Sequence, residues 1–310
     1  MVQNTDCRRL VSGGNPCVGL LFENGGISHP LLHSAEQISP ALRVLPELMR
    51  RSAKRVVTAL FRAIGIEAHF GRPQGFRDFE LVDRKMLSVH AFPDERIELI
   101  DRAQLATETV LGCDFAKYGR LLTLYQMVER VLQQGIPGDL AECGCWKGHS
   151  TYIMAEVARK AGFQGSLHVF DSFEGGLSDK TPADKTRRFQ QSEGDILREK
   201  TLFASGLAQV QGALSSFDFV KFYPGWIPDR FAEVADRSFS LVHIDVDLHD
   251  PTLQSLDFFW PRLNSGGCIV VDDYGFADFP GCEVAVKSFL ARTHPAFFLT
   301  GPVGGCVLVK

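Results

Sequence analysis

From residue 139 onward, short apolar runs alternate with amphipathic stretches. The runs at 140–143, 166–170, 219–223, 239–244 and 268–271 are strand-length and apolar, and each predicts a strand. Between them, 149–161, 251–263 and 282–293 read as helices, and Asn264-Ser-Gly-Gly reads as the stop after the second of these. A polar, charged excursion at 178–200 separates the second strand from the third. Two further strands, 296–300 and 305–309, are joined by Gly301-Pro-Val-Gly, short enough for a hairpin. Strand–helix alternation at this spacing requires right-handed crossovers and parallel pairing. The predicted fold class is α/β: a doubly wound, mostly parallel seven-stranded sheet, Rossmann-like, with an antiparallel C-terminal hairpin and an N-terminal helical extension.

That extension divides in two. Residues 94–134 predict two helices, the second over 117–134 with Leu121, Leu122, Leu124, Tyr125, Val128, Val131 and Leu132 on its apolar face. Gly135-Ile-Pro-Gly ends it. Residues 44–64 predict an amphipathic helix, with Met49, Val56, Leu60 and Ile64 opposite Arg50, Arg51, Lys54, Arg55 and Arg62. Its basic face is either solvated or a surface for acidic partners, and the helix also offers a dimer contact. Residues 1–40 are rich in Gly, Pro, Ser and Asn with weak periodicity. The domain boundaries drawn are 1–75 for the extension, 76–135 for a helical lid region and 136–310 for the sheet domain.

Composition narrows the class. With 310 residues, 45% hydrophobic and 23% charged, the chain is an ordinary globular protein, neither collagenous nor disordered. A net charge of −4 argues against a nucleic-acid partner. No apolar run reaches the roughly 18 residues of a membrane span, and the N-terminus lacks a secretory pattern. Eight cysteines without C-x-x-C spacing argue against structural zinc and for reduced thiols in a cytoplasmic protein.

In an open doubly wound sheet, ligands bind beyond the carboxyl ends of the strands. Four segments fall there: Glu142-Cys-Gly-Cys-Trp-Lys-Gly-His-Ser150, Asp171-Ser-Phe-Glu, Asp245-Val-Asp-Leu-His249 and Asp272-Asp-Tyr-Gly275. Gly144 permits a tight turn and Gly148 lets a ligand approach the next helix. Glu142 would repel phosphate but suits a cation such as the α-amino group of S-adenosylmethionine. Ser150, at a helix N-terminus, suits that molecule's carboxylate. Asp171 ends the second strand, where an acid commonly accepts hydrogen bonds from ribose hydroxyls. The alternative is a plain strand–helix turn with a capping Asp. Asp245, Asp272 and Asp273 end the fourth and fifth strands, so three carboxylates converge if those strands are neighbours. A hard divalent cation relieves that repulsion, and Mg²⁺ suits oxygen ligands; otherwise the acids cap helices and face water. His243, Asp245, Asp247 and His249 would share one face in extended form. His243 lies inside the strand and reads as packed, whereas His249 lies beyond it.

Gly135-Ile-Pro-Gly-Asp-Leu-Ala-Glu-Cys-Gly-Cys-Trp-Lys-Gly, Phe170-Asp-Ser-Phe-Glu-Gly, Tyr223-Pro-Gly-Trp, Ile244-Asp-Val-Asp-Leu-His and Val271-Asp-Asp-Tyr-Gly occur in this order. Together they resemble the macrocin O-methyltransferase (TylF/MycF-type) family of class I, S-adenosylmethionine- and Mg²⁺-dependent enzymes that methylate sugar hydroxyls on macrolides. The resemblance covers about residues 90–310. It implies that Glu142, Gly144, Gly148 and Ser150 bind the methionine end of the cofactor, and that Asp171 and Ser172 hold the ribose. It further implies that Asp245, Asp272 and Asp273 bind the metal, in a methyltransferase domain over 136–310. The chain departs from the family's Trp-Arg-Gly-Gly at Trp146-Lys-Gly-His149 and from its Asp-Leu-Tyr at Asp247-Leu-His249.

The expected reaction is in-line methyl transfer to a hydroxyl of a sugar-like, vicinal-diol small molecule, with Asp245 or His249 taking the proton. Two other functions stay open. One is a metal-dependent hydrolase using His243, Asp245, Asp247 and His249; the other is a non-catalytic cofactor-binding module. A nicotinamide enzyme is disfavoured by Glu142 and the missing third glycine.

Overall fold

The computed structural model describes residues 66–70, 79–83, 94–109, 115–184 and 201–310. The helix expected over 44–64 and most of the 178–200 excursion lie outside them. Two short strands, β1 (Ile66–Phe70) and β2 (Phe79–Asp83), pair in a small sheet of their own. β1 alternates apolar and polar residues and β2 is largely apolar, and with Gly71-Arg-Pro-Gln-Gly75 between them they give a strand–turn–strand signal inside a stretch read as extension and helical lid.

The main body begins with helices α1 (Asp94–Ala106) and α2 (Phe115–Gln133). It continues β3 (Asp139–Cys143), α3 (His149–Lys160), β4 (Leu167–Asp171), α4 (Leu207–Ala213) and β5 (Val220–Pro224). Then follow β6 (Phe239–Ile244), α5 (His249–Arg262), β7 (Leu263–Val271), α6 (Pro280–Leu290), β8 (Phe297–Thr300) and β9 (Cys306–Val309). The seven-stranded sheet runs β5-β4-β3-β6-β7-β9-β8. Its first five strands pair in parallel, and β9 pairs antiparallel with both β7 and β8. The order reverses at β3, which places the switch point between β3 and β6.

One strand starts earlier than its sequence suggests. Asn264-Ser-Gly-Gly does follow the end of α5, yet it lies within β7. Phe239 pairs with Leu263 and Leu241 with Cys268, so residues 264–267 bulge out of register. The turn-like composition marks a bulge instead of a loop. Helix α4 was not foreseen, because only Val210 of its residues is buried and no apolar stripe forms.

Period-two alternation splits the core into two layers. Leu140, Leu167, Val169, Leu241, Cys268 and Val270 pack against α1, α2 and α3. Ala141, Cys143, Phe170, Val242, Ile244, Ile269 and Val271 pack against α5 and α6. Cys143, Cys145, Cys268, Cys282 and Cys306 are free and buried. Burial lifts the Cys268 thiol to about 12, which leaves it protonated as an apolar packing group.

Candidate active site

The turn after β3 is locked to both neighbouring strands. Gly144 donates its N–H to Phe170 O at 2.8 Å, and Asp245 donates to Cys143 O at 2.8 Å. Gly144 has φ 79, and a Cβ there would overlap the carbonyl oxygen of Asp245. Gly148 caps α3 without any side-chain hydrogen bond, so the helix start keeps its backbone donors for a ligand. Ser150 is buried in that first turn. Asp171 accepts from the backbone N–H groups of Cys145 and Trp146 at 2.9 and 3.0 Å through Oδ2, and from Phe173 at 2.9 Å through Oδ1. It therefore shapes the glycine loop from below. Ser172 Oγ accepts from Glu174 N at 3.3 Å. The indole Nε1 of Trp146 is buried without a hydrogen-bond partner. An uncapped helix, a loop held open by a carboxylate and an orphaned indole donor fit a nucleoside-bearing cofactor such as S-adenosylmethionine.

Glu142 is fully buried. One carboxylate oxygen accepts from Thr151 Oγ1 and the other from His243 Nδ1 at 2.9 Å. The parallel register explains the meeting: Glu142 is paired with His243, and His243 with Val270, so all three face the same layer. Asp272 lies two residues beyond Val270 on that side, and its Oδ1 is 3.9 Å from His243 Nε2. Burial pulls the imidazole down, but Asp272 and Glu142 outweigh it and lift its pKa to about 9. His243 is packed, as its place in the strand suggests, yet it also ties the Glu142 turn to the carboxylate cluster.

The structure brings Asp245 and Asp272 together. Lys117 Nζ lies 2.9 Å from Asp245 Oδ2 and 2.8 Å from Asp272 Oδ2, and Arg120 Nε lies 2.9 Å from the same Asp272 oxygen. Burial opposes charge on Asp272, but Lys117, His243 and Arg120 hold its carboxyl well below the usual range. Asp273 is driven the other way, first by burial and then by the Asp247, Asp245 and Asp272 carboxylates. Its Oδ2 is buried with no partner. Ligand atoms of His243, Asp245 and Asp272 all lie within 4.8 Å of one another. The Asp245 and Asp272 oxygens are hard donors that fit a divalent cation such as Mg²⁺, whereas Asp273, expected to join them, stands outside that group.

Sequence reasoning missed Lys117 and Arg120. A signal exists: Lys117 stands in the first turn of α2, which has no acid, and Arg120 one turn on, near an end where the helix dipole disfavours cations. Strand β6 ends at Ile244, Asp247 has φ 62 and His249 opens α5, so the extended alternation does not persist. The ring of His249 turns to Asp250 at 2.7 Å, while its backbone N–H donates to Asp184 Oδ1 at 2.8 Å. Among the described residues the group able to hold a metal is His243, Asp245 and Asp272, without Asp247 or His249, so the four-residue hydrolase centre is not assembled.

His149, one departure from the family pattern, anchors α1. Its Nε2 donates to Ile100 O at 3.1 Å, and Nδ1 is buried without a partner. Burial lowers its pKa to about 4 from 6.5. Between those values the unfolded chain binds the extra proton, so stability is full above pH 6.5 and falls as pH drops toward 4. The loss should total on the order of 3 kcal/mol. Urea titrations should show His149→Asn losing less stability than wild type between pH 7.5 and 4.5; parallel losses sink this account.

A doubly wound parallel sheet with an antiparallel terminal pair, a glycine turn after β3 and acids closing β4, β6 and β7 define a class I methyltransferase. The chain belongs to the macrocin-O-methyltransferase (TylF) family, whose profile matches residues 69–295. This is a family of S-adenosylmethionine-dependent O-methyltransferases. Over 181 residues the chain is 33% identical to the 8-demethyl-8-(2,3-dimethoxy-alpha-L-rhamnosyl)-tetracenomycin-C 4'-O-methyltransferase of Streptomyces olivaceus, covering 56% of this chain and 66% of that protein. Over 215 residues it is 27% identical to the mycinamicin III 3''-O-methyltransferase of Micromonospora griseorubida, covering 67% and 80%. The solved O-methyltransferase NovP superposes with a TM-score of 0.52 at 27% identity, covering 62% of this chain and 80% of that one. Among the described residues, no helix is long and apolar enough to cross a membrane.

Proposed function

We propose that the protein transfers a methyl group from S-adenosylmethionine to a hydroxyl of a sugar on a small-molecule natural product, with Mg²⁺ held by Asp245, Asp272 and Asp273. The observation that carries this is the gathering of strand-end carboxylates beside the Gly144 turn. The rhamnosyl group in the name of the Streptomyces relative supports a sugar acceptor. Free buried thiols fit a reducing compartment, and the cytoplasm is the compartment proposed.

When bound, the cation would lower the pKa of an acceptor hydroxyl and orient a neighbouring oxygen. The chain's own residues do the rest. The start of α3 and the Trp146 indole take the cofactor's polar groups, and Asp171 keeps the loop in shape for the ribose. The 136–310 domain carries this machinery, and the 76–135 region supplies α1 and α2 as the cover. His249 is the proposed base: Nδ1–H donates to Asp250, which leaves Nε2 to accept the hydroxyl proton. Asp245 faces Lys117 and serves the cation.

The test uses purified protein, methyl-labelled S-adenosylmethionine and a panel of glycosides with vicinal hydroxyls, with and without EDTA. Transfer to a sugar hydroxyl that stops in EDTA and returns with Mg²⁺ is expected. In the same assay His249→Gln should lower turnover by about 10²-fold or more. Full-rate methylation in EDTA would remove the metal from the reaction.

A further inference from the structure

We propose that Lys117 is a built-in counter-cation for the Asp245–Asp272 pair, and that its ammonium and a divalent metal compete for the same two oxygens. The proposal rests on the metal reading above and adds a gate to it. The Nζ of Lys117 lies within 2.9 Å of Asp245 Oδ2 and 2.8 Å of Asp272 Oδ2, which come from the ends of two different strands. A metal ligated by both oxygens would sit in that same wedge, at about 2.0–2.1 Å from each for Mg²⁺. Two cations in one wedge repel at van der Waals distance in a half-dry site, so occupancy is exclusive.

Two further observations give the competition a direction. The ammonium leaves Asp273 Oδ2 buried with no partner, although that carboxyl feels the Asp247, Asp245 and Asp272 charges. A divalent cation brings twice the ammonium's charge to these carboxylates, so the lysine only partly offsets their mutual repulsion. The lysine also has a way out. Its side chain is 19% exposed, on a flexible four-carbon stem in the first turn of α2, whereas Arg120 is 7% exposed and stays on Asp272. Displacement therefore moves one side chain and leaves the sheet untouched. The arrangement makes the apparent metal affinity the intrinsic affinity reduced by the fraction of molecules in which Lys117 has left.

Mn²⁺ serves as the probe, its free concentration read by electron paramagnetic resonance in titrations of wild type, Lys117→Met and Lys117→Arg. If the ammonium holds the wedge in about 90% of molecules, Lys117→Met lowers the apparent Kd about tenfold. Lys117→Arg, which keeps the charge, should stay near wild type. Thermal melts give a second readout that tolerates a weakened fold: the metal-free Tm of Lys117→Met falls, and Mn²⁺ raises it more than it raises wild type. Binding by Lys117→Met alone also supports the gate. Equal or weaker Mn²⁺ binding by Lys117→Met, with wild type still binding, overturns the gate and leaves the metal reading standing. No Mn²⁺ binding by any of the three proteins overturns both.

Discussion

Gly144→Ala should abolish cofactor binding and destabilise the fold. The residue sits at φ 79, and an added Cβ would overlap the carbonyl oxygen of Asp245 and come 2.8 Å from its carbon. The left-handed backbone alone costs alanine about 1–2 kcal/mol. The overlap costs more, because Asp245 cannot retreat: its N–H is bonded to Cys143 O at 2.8 Å. A total of about 3 kcal/mol or more is expected. The turn must open, which parts the carboxyl ends of β3 and β6 where the cofactor loop and carboxylates meet. Calorimetry with S-adenosylhomocysteine should show at least about 100-fold weaker binding, equivalent to about 2.7 kcal/mol. Wild-type affinity with an unchanged Tm would mean that the close approach does not shape the site.

The second large effect is expected at Asp272. Its Oδ2 receives both Lys117 and Arg120, and its Oδ1 faces His243. Asp272→Asn keeps the shape and removes the charge, so cations gathered from α2 and β6 lose their shared counter-ion. Removing one partner of a buried pair typically costs about 3–5 kcal/mol. Methyl transfer should fall by about 10²–10³-fold, since the same change strips a proposed metal ligand. Asp257→Asn is the control. Asp257 pairs with Arg292 at the surface, where such a pair contributes about 0–1 kcal/mol. Equal losses of stability and turnover in the two variants would show that burial and convergence do not matter at Asp272.

The strand-end acids were legible because strands are short and apolar, so a carboxylate at each exit stands out. Parallel order followed from the helices between the strands, and β6 and β7 proved to be neighbours, which brings Asp245 to Asp272. What stayed hidden needed register or distance. Whether His243 touches Glu142 depends on which residue of β3 lies beside it. Lys117 reaches across 155 positions to Asp272, and no local period records such a reach. Asp171 looked like a ribose ligand because it ends a strand, but its contacts to Cys145 and Trp146 required the folded loop. His249 was legible as a residue beyond β6, but not the turn of its ring to Asp250.

Helix α2 does not find its position on the sheet by itself. At Gly119 it presses so closely on Val303 that a Cβ would come 2.6 Å from Val303 Cγ2, and Arg120 Nη1 donates to Val303 O at 3.5 Å. The 301–305 turn is in turn fastened to the segment after β7, where Gly305 donates to Tyr274 O at 2.8 Å. The aim of both cations is thus set by a hairpin tip 183 positions further along the chain from Arg120. Alterations in that tip would be felt first as misdirected charge, and only afterwards as lost packing.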